Sequence, residues 1–232
     1  MITEPIKDNK ELQAFLNFYA DKKPNLRNHC LIVFGLNTAL RISDILNIKW
    51  NMIYDFENKK FIKRLTISEH KTGKINIIPI NDNLSIALQK LFSKQNPQYN
   101  DYIFIKSTDH TRPLSRTQAY RIIKTAADKC NITGNINCHS LRKTFGFFAW
   151  KQGTQPALLM AIYNHSSYNI TKRYLGITQC KKDDIYAYLI PLPNHFYNIN
   201  YKFKKFLFFR KKGLRKIAYS RYNKCKQKCN IL

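Results

Sequence analysis

The sequence predicts an α+β fold, mostly helical with a small antiparallel sheet. Three observations predict it. Apolar residues recur at helical spacing through 10–20, 26–48, 115–130 and 139–152. Two β-rich segments, 61–68 and 75–80, flank the turn signal Lys71-Thr72-Gly73-Lys74. The chain has 232 residues, 44% of them apolar, enough for one or two domains with a buried core. That composition excludes disorder throughout.

Taken in order, residues 10–20 put Leu12, Phe15, Leu16 and Tyr19 on one helical face. Lys22-Lys23-Pro24-Asn25 breaks that helix. From Leu26 to about Ile48 the pattern is helical again, and so apolar around 31–40 that it belongs in a core. Residues 61–68 and 75–80 then make a hairpin with Lys71 near its tip, and 52–54 are expected to add a third strand. Residues 82–93 read as a helix, 96–101 as a loop and 102–105 as a short apolar segment. Ser115 is placed to cap a helix running to about Cys130. A helix over 139–152 stops at Gly153, and a short one over 155–163 precedes Asn164-His165. Residues 171–174 fall in a short segment, and 183–189 are expected to be helical.

The charge balance narrows the partners. There are 40 Lys and Arg against 14 Asp and Glu, a net charge of +26. A charge of that size favours an anionic partner, most commonly nucleic acid. Part of it is coding bias, because 29 of the basic residues are Lys and only 11 are Arg, as in AT-rich genes. Residues 195–232 hold 12 Lys or Arg, no acid, and interleaved aromatics, beyond a boundary marked by Pro191 and Pro193. Such a tail suits phosphate tracking and base stacking, or is an unselected extension. No apolar run reaches the ~20 residues that span a bilayer. The polar N-terminus lacks a signal-peptide core, so a cytoplasmic location without membrane attachment is expected. The cysteines at 30, 130, 138, 180, 225 and 229 form neither a disulfide scaffold nor a zinc spacing, so no metal or cofactor is expected.

Six residues stand where apolar elements end or turn: Arg41, Lys71, His139, Arg142, His165 and Tyr174. Taken singly, each has an ordinary structural explanation. Their contexts, in order, are GLNTALRISDILNIKW (35–50), HKTGK (70–74), CHSLRKTFG (138–146) and NHSSYNITKRYLGIT (164–178). In this order and spacing, the four segments resemble the catalytic boxes of the tyrosine recombinase, or phage integrase, family. The resemblance covers roughly residues 26–190. It also fits the minimal members of the fimbrial-invertase kind.

The resemblance implies transesterification at a DNA phosphodiester, in a fold of the DNA breaking-rejoining type. Tyr174 would attack phosphorus, forming a 3′-phosphotyrosyl link and releasing a 5′-hydroxyl. Arg41 and Arg142 would hold the non-bridging oxygens, which guanidinium groups suit by shape and permanent charge. Lys71 would protonate the leaving oxygen, with Lys74 as its neighbouring rival. His139 would act as base or proton relay, and His165 would bond the phosphate and orient Tyr174. Tyr163 and Tyr168 flank His165 and are the rival nucleophiles. Asp44 reads as structural.

The domain expectation is a short N-terminal segment (1–25), a catalytic domain (26–190) and a basic tail (191–232). The N-terminal helical domain of larger family members is expected to be absent. The partners implied are double-stranded DNA, three further copies on paired DNA sites, and accessory DNA-bending proteins. Three rival functions are an inactive DNA-binding remnant of a mobile element, a type IB topoisomerase-like enzyme, and a polyanion-binding protein driven by the tail.

Overall fold

The computed structural model describes residues 3–69, 73–106, 108–109 and 111–176. The expected tail, the helix at 183–189 and Lys71 lie outside the described residues. The order is α1 (Asn9–Asn17), α2 (Leu26–Thr38), α3 (Ile42–Leu46), β1 (Tyr54–Asp55), β2 (Lys60–Phe61), β3 (Arg64–Ser68), β4 (Ile75–Pro79), α4 (Asp82–Gln95), α5 (Arg116–Lys129), α6 (Cys138–Lys151), α7 (Pro156–Tyr163) and α8 (Tyr168–Tyr174). A π-helical turn, Phe18–Lys22, follows α1, and a 3-10 turn, Trp50–Met52, precedes β1.

Helix α2 is the axis of the fold. It is apolar on nearly all sides, as a helix buried on several faces must be. One side carries Leu31, Phe34 and Cys30 into a cluster with Leu84, Leu88 and Leu91 of α4, Leu65 of β3, and Trp50, Ile103 and Phe104. The other side places Ile32 against Ile6, Phe15 and Tyr19 from the chain start, Ile123 of α5 and Leu141 of α6. The indole of Trp50 meets its hydrogen-bonding need inside the first cluster by donating to Gln95 Oε1 at 3.0 Å.

The helix expected to run on to Ile48 stops ten residues earlier. Ala39 adopts the left-handed conformation, φ 54° and ψ 15°. Thr38 Oγ1 donates back to the Phe34 carbonyl at 2.8 Å. The chain turns there, and Arg41 becomes the N-cap of α3 rather than a side chain on a continuing helix. Apolar periodicity does not register this break, because α3 resumes the same pattern after three residues.

The hairpin is β3 paired antiparallel with β4, in the register Leu65–Ile78 and Ile67–Asn76. Leu65 and Ile67 point inward and their neighbours outward, the period of two that the sequence showed. The segment expected as a third strand instead forms a separate two-stranded sheet, β1 with β2. Helices α5 and α6 both carry reciprocal caps, the Ser115 one as expected. Ser115 and Gln118 form a reciprocal capping box on α5, and Asn137 and Ser140 do so on α6. Among the described residues, no helix is long and apolar enough to cross a membrane.

A strap formed by residues 3–7 lies along α6. The Glu4 N–H donates to the Asn135 carbonyl at 3.2 Å, and the Ile6 N–H donates to Thr144 Oγ1 at 2.9 Å. Ile6 is fully buried in the second cluster.

Helices α2 and α6 meet at Gly35. A Cβ there would sit 2.5 Å from Leu141 Cδ1 and 3.2 Å from Leu141 Cβ. Gly35→Ala is therefore expected to destabilise the fold by about 1–3 kcal/mol, despite alanine's better helix propensity. A denaturant-unfolding midpoint measures this. An unchanged or raised midpoint would contradict the close approach.

Candidate active site

Helices α6, α7 and α8 and the α2–α3 turn bring five of the six expected residues together. Arg142 is at the centre. It stands three residues after His139 on α6 and points inward, buried. A buried guanidinium must find acceptors to replace water. Its Nη1 donates to the carbonyl of Ala39, which the left-handed turn presents. Its Nη2 donates to the carbonyl of Tyr163 at 3.3 Å, and its Cζ lies 4.8 Å from the centroid of the Tyr163 ring.

Arg41 reaches the same place from the N-cap of α3. Its guanidinium is ion-paired with the fully buried carboxylate of Glu69, which also accepts from Asn76 Nδ2 at 2.8 Å. Glu69 ends the inward face of β3, two residues before Lys71. Gly73, with φ 66°, donates its N–H to the Glu69 carbonyl and closes the hairpin tip. Burial, opposed by Tyr174, and reinforced by Arg41 nearby, draws the Arg142 guanidinium below its ordinary value.

His165 follows Asn164, whose left-handed backbone ends α7. Its Nδ1 is 3.0 Å from Oγ1 of Thr171, a fully buried side chain on α8. Tyr174 closes α8, so the short segment expected at 171–174 is the end of a helix. The Tyr174 ring centroid lies 5.2 Å from that of His165, edge to face, and 5.3 Å from that of Tyr163. Lys143 Nζ sits 5.0 Å from the Tyr174 ring centroid and donates to the Thr3 carbonyl of the strap at 2.6 Å.

The electrostatics separate the tyrosines. Burial raises the Tyr174 phenol above its ordinary value, but the charge and hydrogen bond of Arg142, with Arg41 behind it, favour the phenolate. Tyr163 is almost wholly buried, and its hydroxyl donates to the Arg142 carbonyl at 2.7 Å. Burial pushes its phenol far up. A nucleophile needs access, and Tyr163 has none. Tyr168 opens α8, whereas Tyr174 ends it beside His165.

The sequence reasoning missed Glu69, Thr171 and Lys143 as members of this cluster, and named Tyr163 as a rival nucleophile, which its burial now opposes. Glu69 carried a signal: an acid beside the hairpin lysine in a strongly basic chain needs a cationic partner. Lys143 and Thr171 carried none, since their positions follow from how α6 and α8 pack.

Both histidines resist protonation. Desolvation, then the charges of Arg142, Lys143, Arg116 and Arg41, hold His139 below the ordinary 6.5. Desolvation, then Arg142 and Arg41, do the same for His165. The unfolded chain therefore takes up protons first as the pH falls. The stability contributed by the neutral imidazoles is present above about 6.5 and is lost as the pH drops toward the lower folded values. Urea midpoints between pH 7.5 and 5 are expected to fall in the wild-type chain and to flatten in His139→Gln/His165→Gln. Parallel slopes would show that neither imidazole is perturbed.

Comparison with known proteins places this architecture. Residues 7–179 match the model of the phage integrase family. A probable integrase/recombinase, YoeC of Bacillus subtilis, is 38% identical over 178 residues, covering 77% of this chain and 92% of that protein. The tyrosine recombinase XerD of Halalkalibacterium halodurans is 26% identical over 191 residues, covering 78% of this chain and 60% of its own length. The type 1 fimbriae regulatory protein FimE of Escherichia coli is 26% identical over 169 residues, covering 71% of this chain and 82% of that protein. Among solved structures, XerA recombinase superposes with a TM-score of 0.65 at 17% identity, over 82% of this chain and 65% of that one. XerH site-specific recombinase bound to palindromic difH substrate also gives 0.65, at 18% identity, over 81% of this chain and 53% of that one. These two share the fold; the sequence matches establish kinship, and the chain belongs to the phage integrase family.

Proposed function

We propose that this chain is a tyrosine-type site-specific recombinase that cuts and rejoins double-stranded DNA through a covalent link to Tyr174. One observation carries the reading: the Tyr174 ring stands edge to face with His165, and the charge of the buried Arg142 guanidinium opposes the burial that raises its phenol. The phenolic oxygen attacks phosphorus as the bond to the 5′-oxygen breaks, and the 5′-oxygen takes up a proton. Tyr174 loses its own proton to a base, the role given to His139, whose imidazole is held neutral. The phosphodiester energy is kept in the phosphotyrosyl bond, so the reverse step rejoins a strand without a nucleotide cofactor.

Arg41 and Arg142 oppose the charge that builds on the two non-bridging oxygens. Their positions are fixed by Glu69 and by the Ala39 and Tyr163 carbonyls before any DNA arrives. Donors preorganised in this way contribute more than donors that must reorient during the reaction. Lys71, in the segment of sequence between the two hairpin strands, is assigned as the acid that protonates the leaving oxygen. His165 donates from Nε2 to the phosphate when Thr171 Oγ1 donates to its Nδ1. Assembly of four copies on two DNA sites follows from the family and is part of the proposal, as is help from DNA-bending proteins. The excess of basic side chains supports DNA as the partner.

Nicked duplexes from the neighbouring genome test the reading, because the short released fragment diffuses away and leaves the adduct. The wild-type chain is expected to give a protease-sensitive, gel-shifted DNA band on a denaturing gel. Tyr174→Phe is expected to give none. A band that survives this substitution would remove Tyr174 from the role and point to Tyr168.

Arg142→Lys tests the guanidinium itself, since it keeps a charge but loses the fork geometry. Adduct formation is expected to slow by about 10²–10³-fold, in the range of losing an oriented transition-state donor. Single-turnover rates on the same nicked duplex measure it, and a rate within a few-fold of wild type would exclude the assignment.

A further inference from the structure

We infer that Tyr163 is a positioning residue, a buried aromatic platform on which Arg142, His165 and Tyr174 are held in mutual register. The inference rests on the proposed roles of those three groups. Tyr163 itself is buried and takes no part in the bond-breaking step.

Burial alone does not explain Tyr163. The end of α7 needs an apolar side chain there, and leucine or phenylalanine would supply one. The hydroxyl is an added requirement, because a buried O–H must find an acceptor. It finds the carbonyl of Arg142, 2.7 Å away. Space has been left for it. A Cβ on Gly146, one turn beyond Arg142 on α6, would lie 2.1 Å from Tyr163 Oη and 2.7 Å from Cζ.

Tyr163 consequently grips Arg142 at three points. The ring meets the guanidinium carbon at 4.8 Å, the Tyr163 carbonyl accepts from Nη2, and the hydroxyl bonds the arginine's own backbone. The same ring stacks on the His165 imidazole at 5.4 Å and 22°, and the Tyr174 ring packs against it at 5.3 Å. An aliphatic side chain of similar bulk would fill the core but offer no π face to the cation and no flat wall to the two rings. Tyr174 would then lose one of the two rings that pack against its own. Displacements of about 1 Å at a reacting group commonly cost about 100-fold in rate.

The test uses the full chain with the nicked duplex above. Tyr163→Phe keeps the ring and loses one hydrogen bond; it is expected to slow adduct formation by about 5-fold. Tyr163→Leu keeps the apolar bulk and loses the ring; it is expected to slow it by about 100-fold. Binding to the same duplex and cooperative unfolding are expected to persist in both, which separates positioning from loss of fold. Gly146→Ala changes no reacting side chain and crowds the Tyr163 hydroxyl, together with Leu175 Cδ2 at 2.6 Å. It provides the second reading should Tyr163→Leu fail to fold, and it too is expected to slow the reaction. Equal rates for wild type and Tyr163→Leu, or a Tyr163→Phe rate as low as that of Tyr163→Leu, would overturn the platform. So would an unaltered rate in Gly146→Ala. A wild-type chain that forms no adduct at Tyr174 would overturn the reading of the site itself, and the platform with it.

Discussion

Burying the Arg142 guanidinium inside a protein is the constraint from which the rest of the site follows. A permanent cation cannot shed its charge on burial as a lysine or histidine can. The fold must therefore supply acceptors, and it does so from distant parts of the chain. Ala39 enters a left-handed conformation, costing about 1–2 kcal/mol, and its carbonyl meets Nη1. That same turn ends α2 and sets Arg41 at the start of α3, beside the first arginine. Two like charges so near each other need a counter-anion, and Glu69 provides it from the turn end of the hairpin. The α2–α3 turn, the hairpin and the end of α7 are thereby committed to one place by a single side chain.

How much of this was legible in the sequence follows from the kind of information each feature uses. The helices over 115–130 and 139–152 were legible because periodicity and capping residues are local, and both appear as expected. The hairpin was legible for the same reason, with β4 ending one residue early at Pro79. The break at Ala39 was not, because alanine favours helix and only the Arg142 contact rewards the turn. The six site residues were legible through the order of four segments and not through the properties of any one. The structure brings Arg41, His139, Arg142, His165 and Tyr174 into one neighbourhood. Their supports, Glu69, Thr171, Lys143 and the second role of Tyr163, depend on which helix faces meet, and no local pattern encodes that.

The electrostatic design is a cationic centre with neutral imidazoles. Each positive charge placed for the phosphate also keeps His139 and His165 from protonating. An imidazole that must accept a proton is better placed beside fixed cations than beside carboxylates. Glu69, a buried acid of the site, is paired with Arg41.

The strap of residues 3–7 bears on the surroundings of Tyr174. The Thr3 carbonyl holds Lys143, whose ammonium sits over the Tyr174 ring, and Pro5 and Lys7 flank Gly176 just past that tyrosine. Removing residues 3–6 would leave every side chain of the catalytic set in the chain, yet take this anchor from Lys143. The seating of a lysine against the nucleophile's ring thus depends on backbone far away in the sequence.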